Sequence, residues 1–434
     1  MKLHSTIRKT EVERAVLVGV QRDKEASWIE RESMKELAAL VKTAGGEVIG
    51  EVLQRLPNPT APYYIGKGKV EEVRERCIQG RAHSVIFDDE LTPAQGRNLE
   101  KALSRKVIDR TQLILDIFAQ RARTREGKLQ IELAQLNYLL PRLTRMWTHL
   151  SRQSGGIGTR GPGETQLEVD RRRVQERITR LKEDLEEVRR VRNVQRSGRL
   201  RRNVPMVALV GYTNAGKSTL FNWLAQANVY AADQLFATLD PTTRLVQLPN
   251  KHKLLLSDTV GFIRKLPHKL IESFKATLEE VVNADLLLHV VDLSHSHFEE
   301  QIASVKEVLC EIGAHDKTQI LVFNKTDCVM TAGLIERVLM EYPNSVAVSA
   351  IKQEGLNALT NCLAQHLVKW RQHGYWLIPQ SEGTRIAEIY DHGEVVRVEY
   401  IDASVKIEGY VPWYLHGKLK QWSLKINELN ENNS

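Results

Sequence analysis

The sequence predicts an α/β protein. A small α/β domain and an antiparallel helical hairpin come first, a larger α/β domain follows, and a small α+β domain ends the chain. Short apolar runs alternate with helical patterns at residues 13–120 and, more strongly, at residues 204–369. Between these regions apolar residues recur at the spacing of packed helices, and after them apolar and polar residues alternate as in paired strands. The expected domains are residues 1–120, 121–203, 204–370 and 371–434.

The composition excludes several classes of protein. The chain has 434 residues, of which 42% are hydrophobic, so it can form several cores and is not disordered throughout. No apolar run approaches the roughly 18–20 residues of a membrane helix, and no signal peptide is predicted. The four cysteines form no CxxC pair, which excludes a disulfide framework and a zinc ribbon. We expect a monomeric, cytoplasmic protein without membrane insertion.

The first domain is predicted to contain a largely parallel sheet, because its strands alternate with helices. The predicted strands are residues 15–20, 85–87 and 107–108, and the predicted helices are residues 27–43, 92–103 and 111–119. The segment Tyr64-Ile65-Gly66-Lys67-Gly68-Lys69 precedes a further helical pattern. It could form a phosphate-binding nest, but two glycines and two lysines are weak evidence, so a plain loop is preferred.

Apolar residues spaced alternately by four and three predict two packed helices in residues 121–203. The first seam is Leu129, Leu133, Leu136, Leu140, Leu143 and Trp147, and the second is Leu167, Val174, Ile178, Leu181, Leu185 and Val188. Pro141 is expected to bend the first helix, because it lacks a backbone N–H and clashes with the preceding turn. Five glycines among residues 155–163 interrupt the pattern, so we expect a hairpin with a glycine-rich tip.

The hairpin carries all of the net positive charge. Residues 121–203 contain 21 Lys and Arg against 10 Asp and Glu, a net charge of +11, whereas the whole chain has +8. Arginine binds phosphate through paired hydrogen bonds and releases counterions, which favours contact with RNA. A solvated structural arm is the alternative, and a membrane surface is less favoured because the seams face each other. The candidate RNA contacts are Arg160, Arg171, Arg172, Arg173, Arg199, Arg201 and Arg202.

The larger α/β domain begins with a phosphate-binding loop. Residues 211–218 read GYTNAGKS and match GxxxxGK[ST], between a predicted strand at 205–210 and a predicted helix at 219–225. In this motif backbone N–H groups surround the phosphates, Lys217 reaches the β- and γ-phosphates, and Ser218 binds Mg²⁺. The motif predicts a nucleotide site formed by Gly211, Tyr212, Thr213, Asn214, Ala215, Gly216, Lys217, Ser218 and Thr219.

A second motif selects the base. Asn324-Lys325-Thr326-Asp327 follows a predicted strand at 320–323, at the edge where parallel sheets bind ligands. Further strands are predicted at 254–257, 286–291 and 346–348. Asp327 can accept hydrogen bonds from N1–H and the 2-amino group of guanine, whereas adenine offers neither donor. We therefore predict GTP binding, with Ser349, Ala350 and Ile351 beside the base and the N–H groups of Ser349 and Ala350 contacting guanine O6.

Two segments are predicted to read the γ-phosphate. In Asp258-Thr259-Val260-Gly261, the carboxylate supports Mg²⁺ and the Gly261 N–H contacts the γ-phosphate. In Phe236-Ala237-Thr238-Leu239-Asp240, the threonine is the candidate second hydroxyl ligand of Mg²⁺, in a switch loop that orders with GTP. Thr242 and Thr243 remain alternatives on spacing alone. The candidate catalytic residues are Lys217, Thr238 and Gly261, and the candidate metal ligands are Ser218, Thr238 and Asp258.

The last predicted domain, residues 371–434, is a small α+β domain. Residues 395–401 and 404–410 alternate apolar and polar residues around Asp402-Ala403, a pattern that predicts a β-hairpin.

Several long strings closely resemble the HflX family of bacterial GTPases: GYTNAGKSTLFN, YAADQLFATLDPTTR, DTVGFIRKLPH, GGIGTRGPGETQLE and VIDRTQLILDIFAQRARTREGKLQIELAQL. The resemblance implies an N-terminal domain, a helical arm, a GTPase domain and a C-terminal domain, and it makes Thr238 the preferred switch threonine. It also implies binding to the large ribosomal subunit and its rRNA, with dissociation of ribosomes under stress in some members. Some members are described as hydrolysing ATP through the N-terminal domain, where this sequence has no second P-loop.

Phe262 stands where many GTPases have a glutamine that orients the attacking water. A phenyl ring cannot make that hydrogen bond, so we expect slow intrinsic hydrolysis that the ribosome accelerates. Asn214 stands where potassium-stimulated relatives have a K⁺-ligating asparagine, which makes K⁺ a candidate cofactor besides Mg²⁺. The predicted function is GTP-controlled docking on the large ribosomal subunit, in ribosome dissociation, rescue or assembly. The alternatives are an RNA-remodelling ATPase acting through the N-terminal domain and a nucleotide-gated binding module with negligible turnover.

Overall fold

The computed structural model describes residues 12–22, 27–143, 166–200, 204–227, 234–248, 253–265, 267, 275–367 and 371–424. Within these residues, no helix is both long and apolar enough to cross a membrane. The chain divides into two compact units. The first unit comprises Met1–Glu186 together with Ala232–Leu239 and Arg264–Phe274, and the second comprises Glu187–Ala231, Asp240–Ile263 and Lys275–Ser434. Two segments from the middle of the predicted domain 204–370 therefore pack with the first unit.

The first unit contains a four-stranded parallel sheet, so the predicted α/β arrangement is confirmed. Its strands are β1 (Arg14–Gln21), β2 (Glu47–Arg55), β3 (Ser84–Phe87) and β4 (Lys106–Asp109), in the order β2-β1-β3-β4. Its first helices are α1 (Ser27–Thr43), α2 (Lys67–Gln79), α3 (Pro93–Leu103) and α4 (Arg110–Arg121). β3 is buried along its whole length, as is usual for a central parallel strand.

Two local features of this unit differ from the sequence prediction. The sequence pattern does not predict β2, because this edge strand is only partly buried and its apolar residues are interrupted by polar ones. The segment 64–69 is not a plain loop, since Lys67 begins α2. It is not an open phosphate nest either: the Gly66 N–H donates to Gln54 Oε1 at 2.9 Å, and Lys69 Nζ lies 2.7 Å from Glu72 Oε2.

The predicted helical seam is confirmed for eight of its twelve residues. The helices are α5 (Arg125–Leu143) and α6 (Gln166–Leu200). Their apolar cluster consists of Leu129, Leu133, Leu136 and Leu140 from α5 with Val174, Ile178, Leu181 and Leu185 from α6. Arg177 adds a two-point ion pair with Glu132, with N···O distances of 2.7 and 2.9 Å. Pro141 lies inside α5, two residues before its last described residue; the predicted bend stays a prediction. The predicted tip with Arg160, and also Trp147, Arg201 and Arg202, lie outside the described residues.

The second unit contains a six-stranded sheet in the order β10-β9-β8-β5-β7-β6. The strands are β5 (Met206–Gly211), β6 (Thr242–Gln247), β7 (Lys253–Asp258), β8 (Leu286–Asp292), β9 (Gln319–Asn324) and β10 (Ser345–Ala347). The helices are α7 (Lys217–Ala225), α8 (Lys275–Val282), α9 (Phe298–Glu311), α10 (Leu334–Glu341) and α11 (Leu356–Leu367). Neighbouring strands are parallel except for β6, which pairs antiparallel with β7 at the edge of the sheet and is not predicted by the sequence pattern.

A three-stranded antiparallel sheet follows in the same unit, in the order β11-β13-β12. Its elements are β11 (Arg371–Pro379), α12 (Gly383–His392), β12 (Glu394–Ile401), β13 (Ser404–Pro412) and α13 (Trp413–Leu419). The predicted hairpin is β12–β13, which turns at Asp402 with φ 49°. The sequence pattern does not predict β11, whose Trp376 lies fully buried in the core of this sheet. Short 3₁₀ helices occur at Thr326–Cys328, Gln380–Glu382 and Lys420–Trp422.

Candidate nucleotide-binding site

The loop between β5 and α7 brings Lys217 to the carboxyl edge of the sheet. Lys217 is 6% exposed, and its Nζ donates to the carbonyl oxygens of Gly211 (3.1 Å) and Tyr212 (2.8 Å). Burial lowers the pKa of Lys217 to about 8, and the charge of Asp258 only partly opposes this effect. The loop therefore directs a buried amino group, together with the start of a helix, toward one point at the sheet edge, as a phosphate site requires.

The last residue of this loop must be glycine. Gly216 has φ 92°, and a Cβ at this position would lie 2.2 Å from Asn324 Nδ2. Any side chain would therefore push away the motif that is predicted to read the base.

Two side chains with oxygen atoms that could bind a metal ion meet beside the phosphate-binding loop. Ser218 Oγ donates to Asp258 Oδ2 at 2.7 Å, and Asp258, at the end of β7, is fully buried. Thr259 next to it donates to the Leu209 carbonyl oxygen at 2.6 Å and so anchors the end of β7 to β5. Hydroxyl and carboxylate oxygens are the ligands that Mg²⁺ prefers, so this donor set fits that ion.

The residues after Asp258 are hydrogen-bonded to the phosphate-binding loop. The Phe262 N–H donates to the Gly211 carbonyl oxygen at 3.1 Å, and the Thr213 N–H donates to the Phe262 carbonyl oxygen at 2.7 Å. Phe262 is 2% exposed, so its ring is buried. Gly261 lies against the same loop: a Cβ there would be 2.9 Å from both Lys217 Nζ and Thr213 Cα.

The base motif is joined to the phosphate-binding loop through Asn324. This side chain is 2% exposed; its Nδ2 donates to the Ala215 carbonyl oxygen at 2.9 Å, and its Oδ1 accepts the Ala350 N–H at 3.0 Å. Asn324 thus holds three sequence motifs at fixed separations, although they are distant in the chain.

Asp327 is held in place by the loop after β10. Ser349 Oγ donates to Asp327 Oδ1 at 2.6 Å, and this hydrogen bond lowers the pKa of Asp327. The carboxylate is therefore ionised at neutral pH and can act as a double acceptor. Lys325, with φ 61°, forms an ion pair between its Nζ and Asp292 Oδ2 at 2.6 Å.

The N–H groups of Ser349 and Ala350, which are predicted to contact guanine O6, both have partners within the protein, and the contact with the base stays a prediction. The Ser349 N–H donates to the Glu354 carbonyl oxygen at 3.0 Å, and the Ala350 N–H is used by Asn324. Through their other contacts, Ser349 is joined to Asp327 and Ala350 to Asn324. Ile351 is 74% exposed.

Residues 236–239 of the candidate switch loop belong to the first unit, whereas Asp240 and the other motifs belong to the second. Phe236 has φ 56° and is buried, and its ring packs edge-on against Phe118 of α4 with centroids 4.6 Å apart. Thr238 is half-buried, and the residue after it, Leu239, is buried. The alternatives Thr242 and Thr243 lie in β6 instead of in a loop.

Sequence reasoning missed one buried titratable residue of the second unit. His289 is 1% exposed at the centre of β8, and burial, followed by the charges of Lys306 and Lys217, lowers its pKa to about 3. A single polar residue in the apolar run LLLHVVD was the available signal.

The described RNA-contact candidates lie on the exposed surface of α6. Arg171, Arg172 and Arg173 are exposed, and two of them form long surface ion pairs, Arg172 with Glu176 (3.7 Å) and Arg173 with Asp170 (3.8 Å). Such exposed ion pairs contribute little to stability. The side chain of Arg199 lies outside the described residues.

Three protein-family models together match most of the chain. Residues 31–119 match the family described as GTP-binding GTPase N-terminal, and residues 121–199 match GTP-binding GTPase Middle Region. Residues 206–325 match the family described as 50S ribosome-binding GTPase.

Curated relatives with the name GTPase HflX align over nearly the whole chain. The relative from Lacrimispora saccharolytica is 47% identical over 416 residues, covering 96% of this chain and 97% of its own. The relative from Escherichia coli K12 is 46% identical over 404 residues, covering 92% and 94%. Among solved structures, a GTP-binding protein from Sulfolobus solfataricus in complex with GDP is 26% identical, covers 82% of this chain and 98% of its own, and has a TM-score of 0.43.

Proposed function

The chain belongs to the HflX family of GTPases and hydrolyses GTP, and from this premise we propose that its nucleotide state controls docking on the large ribosomal subunit. The docked protein would act in ribosome dissociation, rescue or assembly. The observation that carries the nucleotide part is the side chain of Asn324, which is hydrogen-bonded both to the phosphate-binding loop and to the loop that holds Asp327. The ribosome part is supported by the family description of residues 206–325 and by the net charge of +11 on residues 121–203.

The chain's residues divide the work of binding and hydrolysis. Lys217 and the Gly261 N–H bind the γ-phosphate, and Asn324 and Asp327 bind guanine. Ser218 and Asp258, with Thr238, would hold Mg²⁺, which supplies charge stabilisation at the phosphates when bound. Water attacks the γ-phosphorus in line, the bond to the β–γ bridging oxygen breaks, and GDP and phosphate leave. Catalysis is positioning and charge stabilisation, without a protein nucleophile.

Hydrolysis by the isolated protein is expected to be slow, because Phe262 cannot orient the attacking water. Asn214, with φ 63°, is the candidate K⁺ ligand in the phosphate-binding loop. Hydrolysis measured in Na⁺ and K⁺ buffers, with and without purified large subunits, tests both expectations. Turnover that is equal in all four conditions would contradict them.

Guanine recognition is tested by Asp327→Asn. The amide can no longer accept from both guanine donors, so GTP affinity should fall about 100-fold, the effect of one unpaired buried polar group or more. Xanthosine nucleotides, which present an acceptor at the matching position, should gain affinity. Unchanged GTP affinity in the variant would show that another group reads the base.

Nucleotide control of docking is tested by co-sedimentation with ribosomal subunits. The full chain should pellet with large subunits in a non-hydrolysable GTP analogue and much less in GDP, and it should not pellet with small subunits. Lys217→Ala alters the nucleotide site and leaves the charges of residues 121–203 unchanged, so it should abolish the difference between nucleotides. Equal pelleting of the wild-type protein in both nucleotides would refute the switch.

We also propose the domain limits 1–120, 121–203, 204–370 and 371–434 as functional units. In this division, the basic helical hairpin of residues 121–203, here called the basic arm, carries the RNA contacts, and the third domain carries the nucleotide site. We further propose that the protein is a cytoplasmic monomer.

A further inference from the structure

Within the first unit, helix α5 is tied at both of its ends to residues 12–22 and 27–121, here called the sheet domain. At its start, a connection of residues 122–124 keeps it beside the end of α4. At its last turn, Arg142 Nη2 donates to Asp109 Oδ2 at 3.0 Å and to the Leu91 carbonyl oxygen at 2.8 Å. Because Asp109 is the residue before α4 and Leu91 follows β3, the far end of α5 is held where α4 begins.

The carboxylate that receives Arg142 is itself fixed in orientation. Asp109 is 2% exposed, and its Oδ1 accepts the Gln112 N–H at 2.9 Å while its Oδ2 accepts the Leu91 N–H at 3.1 Å. Both oxygens are therefore anchored by the backbone of the sheet domain. A planar guanidinium group that pairs with such a carboxylate has little freedom to move.

Tyr138, one turn before Arg142 in α5, strengthens the same contact. The Arg142 Cζ atom lies 3.5 Å from the centroid of the Tyr138 ring, and Nη1 donates to the Tyr138 carbonyl oxygen at 3.0 Å. Burial, followed by the charge of Asp109, raises the pKa of Tyr138, so its hydroxyl stays protonated and hydrogen-bonds to the Asp109 carboxylate. Two side chains of α5 therefore meet on one buried carboxylate of the sheet domain.

Helix α5 in turn carries α6. One face of α5 packs against α4, and its buried residues include Ile131 and Ala134. Four leucines of α5 pack against apolar residues of α6. A movement of α5 relative to the sheet domain would therefore move α6 with it, together with the exposed arginines 171–173.

We propose that Arg142 is a positioning residue for the docking of the basic arm. Paired with Asp109 and hydrogen-bonded to Leu91, it fixes the direction of α5 and α6 relative to the sheet domain before the protein meets its partner. An arm that moved freely would lose this freedom on binding and would bind more weakly, whereas an arm that is already oriented avoids this cost. The proposal rests on the proposed docking of the basic arm on rRNA.

The orientation of the arm is tested by the distance between two spin labels on the full-length protein. Glu75→Cys labels α2 and Glu183→Cys labels α6; both side chains are exposed, and the four native cysteines are replaced by serine in every sample. The protein that keeps Arg142 should give one narrow distance distribution. Arg142→Met and Asp109→Asn should each broaden it about 2-fold, because local opening costs less without the ion pair. Arg125→Met, which removes an exposed arginine of the same helix, is the matched control and should leave the distribution unchanged.

The effect on docking is tested by the affinity for purified large ribosomal subunits in the GTP analogue. Arg142→Met and Asp109→Asn should each bind about 5- to 20-fold more weakly, the usual cost of ordering one or two mobile groups, and the affinity for GDP should be unchanged. Asp109→Asn is the decisive variant, since it removes a negative charge and would strengthen binding to phosphates if charge alone were the cause. Asparagine also caps helices well, so the start of α4 should be kept.

The double variant Arg142→Met/Asp109→Asn shows whether the two residues act through their contact with each other. If they do, its loss of affinity should equal that of one single variant instead of the product of both. An unbroadened distance distribution in Asp109→Asn, or an affinity for large subunits equal to or above that of the wild-type protein, would overturn the proposal. Failure of the proposed docking would instead be recognised by wild-type protein that does not bind large subunits, whatever the spin-label distances.

Discussion

Thr243 Oγ1 donates a hydrogen bond to Ser257 Oγ at 3.2 Å, across the antiparallel pair β6–β7. This contact distinguishes Thr243 from Thr238 as candidates for the Mg²⁺ ligand, which the spacing of the motifs alone does not. Thr243 has a structural partner within the sheet, and Thr242 occupies the first position of the same strand. Thr238 lies in the preceding loop, where a change of conformation does not break strand pairing.

We therefore expect different effects from removing the two hydroxyl groups. Thr238→Ala should slow GTP hydrolysis at least about 10-fold, since loss of one preorganised group at the phosphates usually costs that much or more. Thr243→Val should leave the rate within about 2-fold, because its lost hydrogen bond lies within the sheet and costs about 1 kcal/mol of stability. Single-turnover hydrolysis with saturating Mg²⁺ and large subunits measures both. The reverse order of effects would assign the metal-binding hydroxyl to β6.

Asn324→Ala should damage the nucleotide site more than the fold. The substitution leaves the Ala215 carbonyl oxygen and the Ala350 N–H without their partner, at a cost of about 1–3 kcal/mol each. GDP affinity should fall at least about 10-fold, and the melting temperature should fall by a few degrees. Equilibrium binding of a fluorescent GDP and thermal unfolding give the two values. A large loss of stability with normal GDP affinity would mean that Asn324 serves the core alone.

The meeting of the three motifs at one sheet edge can be predicted from the sequence, because each motif is local. The glycine-rich loop, the Asp258 segment and the Asn324 motif each follow a buried strand, and parallel strands bring their carboxyl ends together. The edge strands β2 and β6 are not predicted, because polar residues on their partly exposed faces interrupt the apolar pattern. The ion pairs of Lys265 with Asp88 and Asp89 cannot be predicted from the sequence either, for a different reason. Asp88 is 177 positions away, and nothing in either local pattern specifies that the two charges meet.

Because His289 is buried, we expect the free energy of unfolding to decrease as the pH falls. Its pKa is about 3 in the fold, below the ordinary value of 6.5, so the unfolded chain takes up a proton first as the pH falls. The stabilisation is complete above pH 6.5 and decreases by about 1.4 kcal/mol per pH unit toward pH 3. His289→Leu should flatten this dependence between pH 6.5 and 4.5, measured by hydrogen exchange of the β8 amides. The exposed His315→Ala should keep the steep loss. An equally steep loss in His289→Leu would exclude this histidine as the cause.

If the basic arm contacts rRNA phosphates, the affinity for the large ribosomal subunit should depend on salt concentration. Arg171, Arg172 and Arg173 are exposed on α6, and each phosphate that they neutralise should contribute about 0.7–0.9 to the slope of log affinity against log salt concentration. Replacing all three with glutamine should lower this slope by up to about 2–3 and weaken binding most at low salt. Replacing them with lysine keeps the charge and should preserve the slope, while losing some affinity because lysine cannot form the paired hydrogen bonds of arginine. Co-sedimentation with large subunits over a salt series, in the GTP analogue, measures the slopes. An unchanged slope in the glutamine variant would place the phosphate contacts elsewhere on the protein.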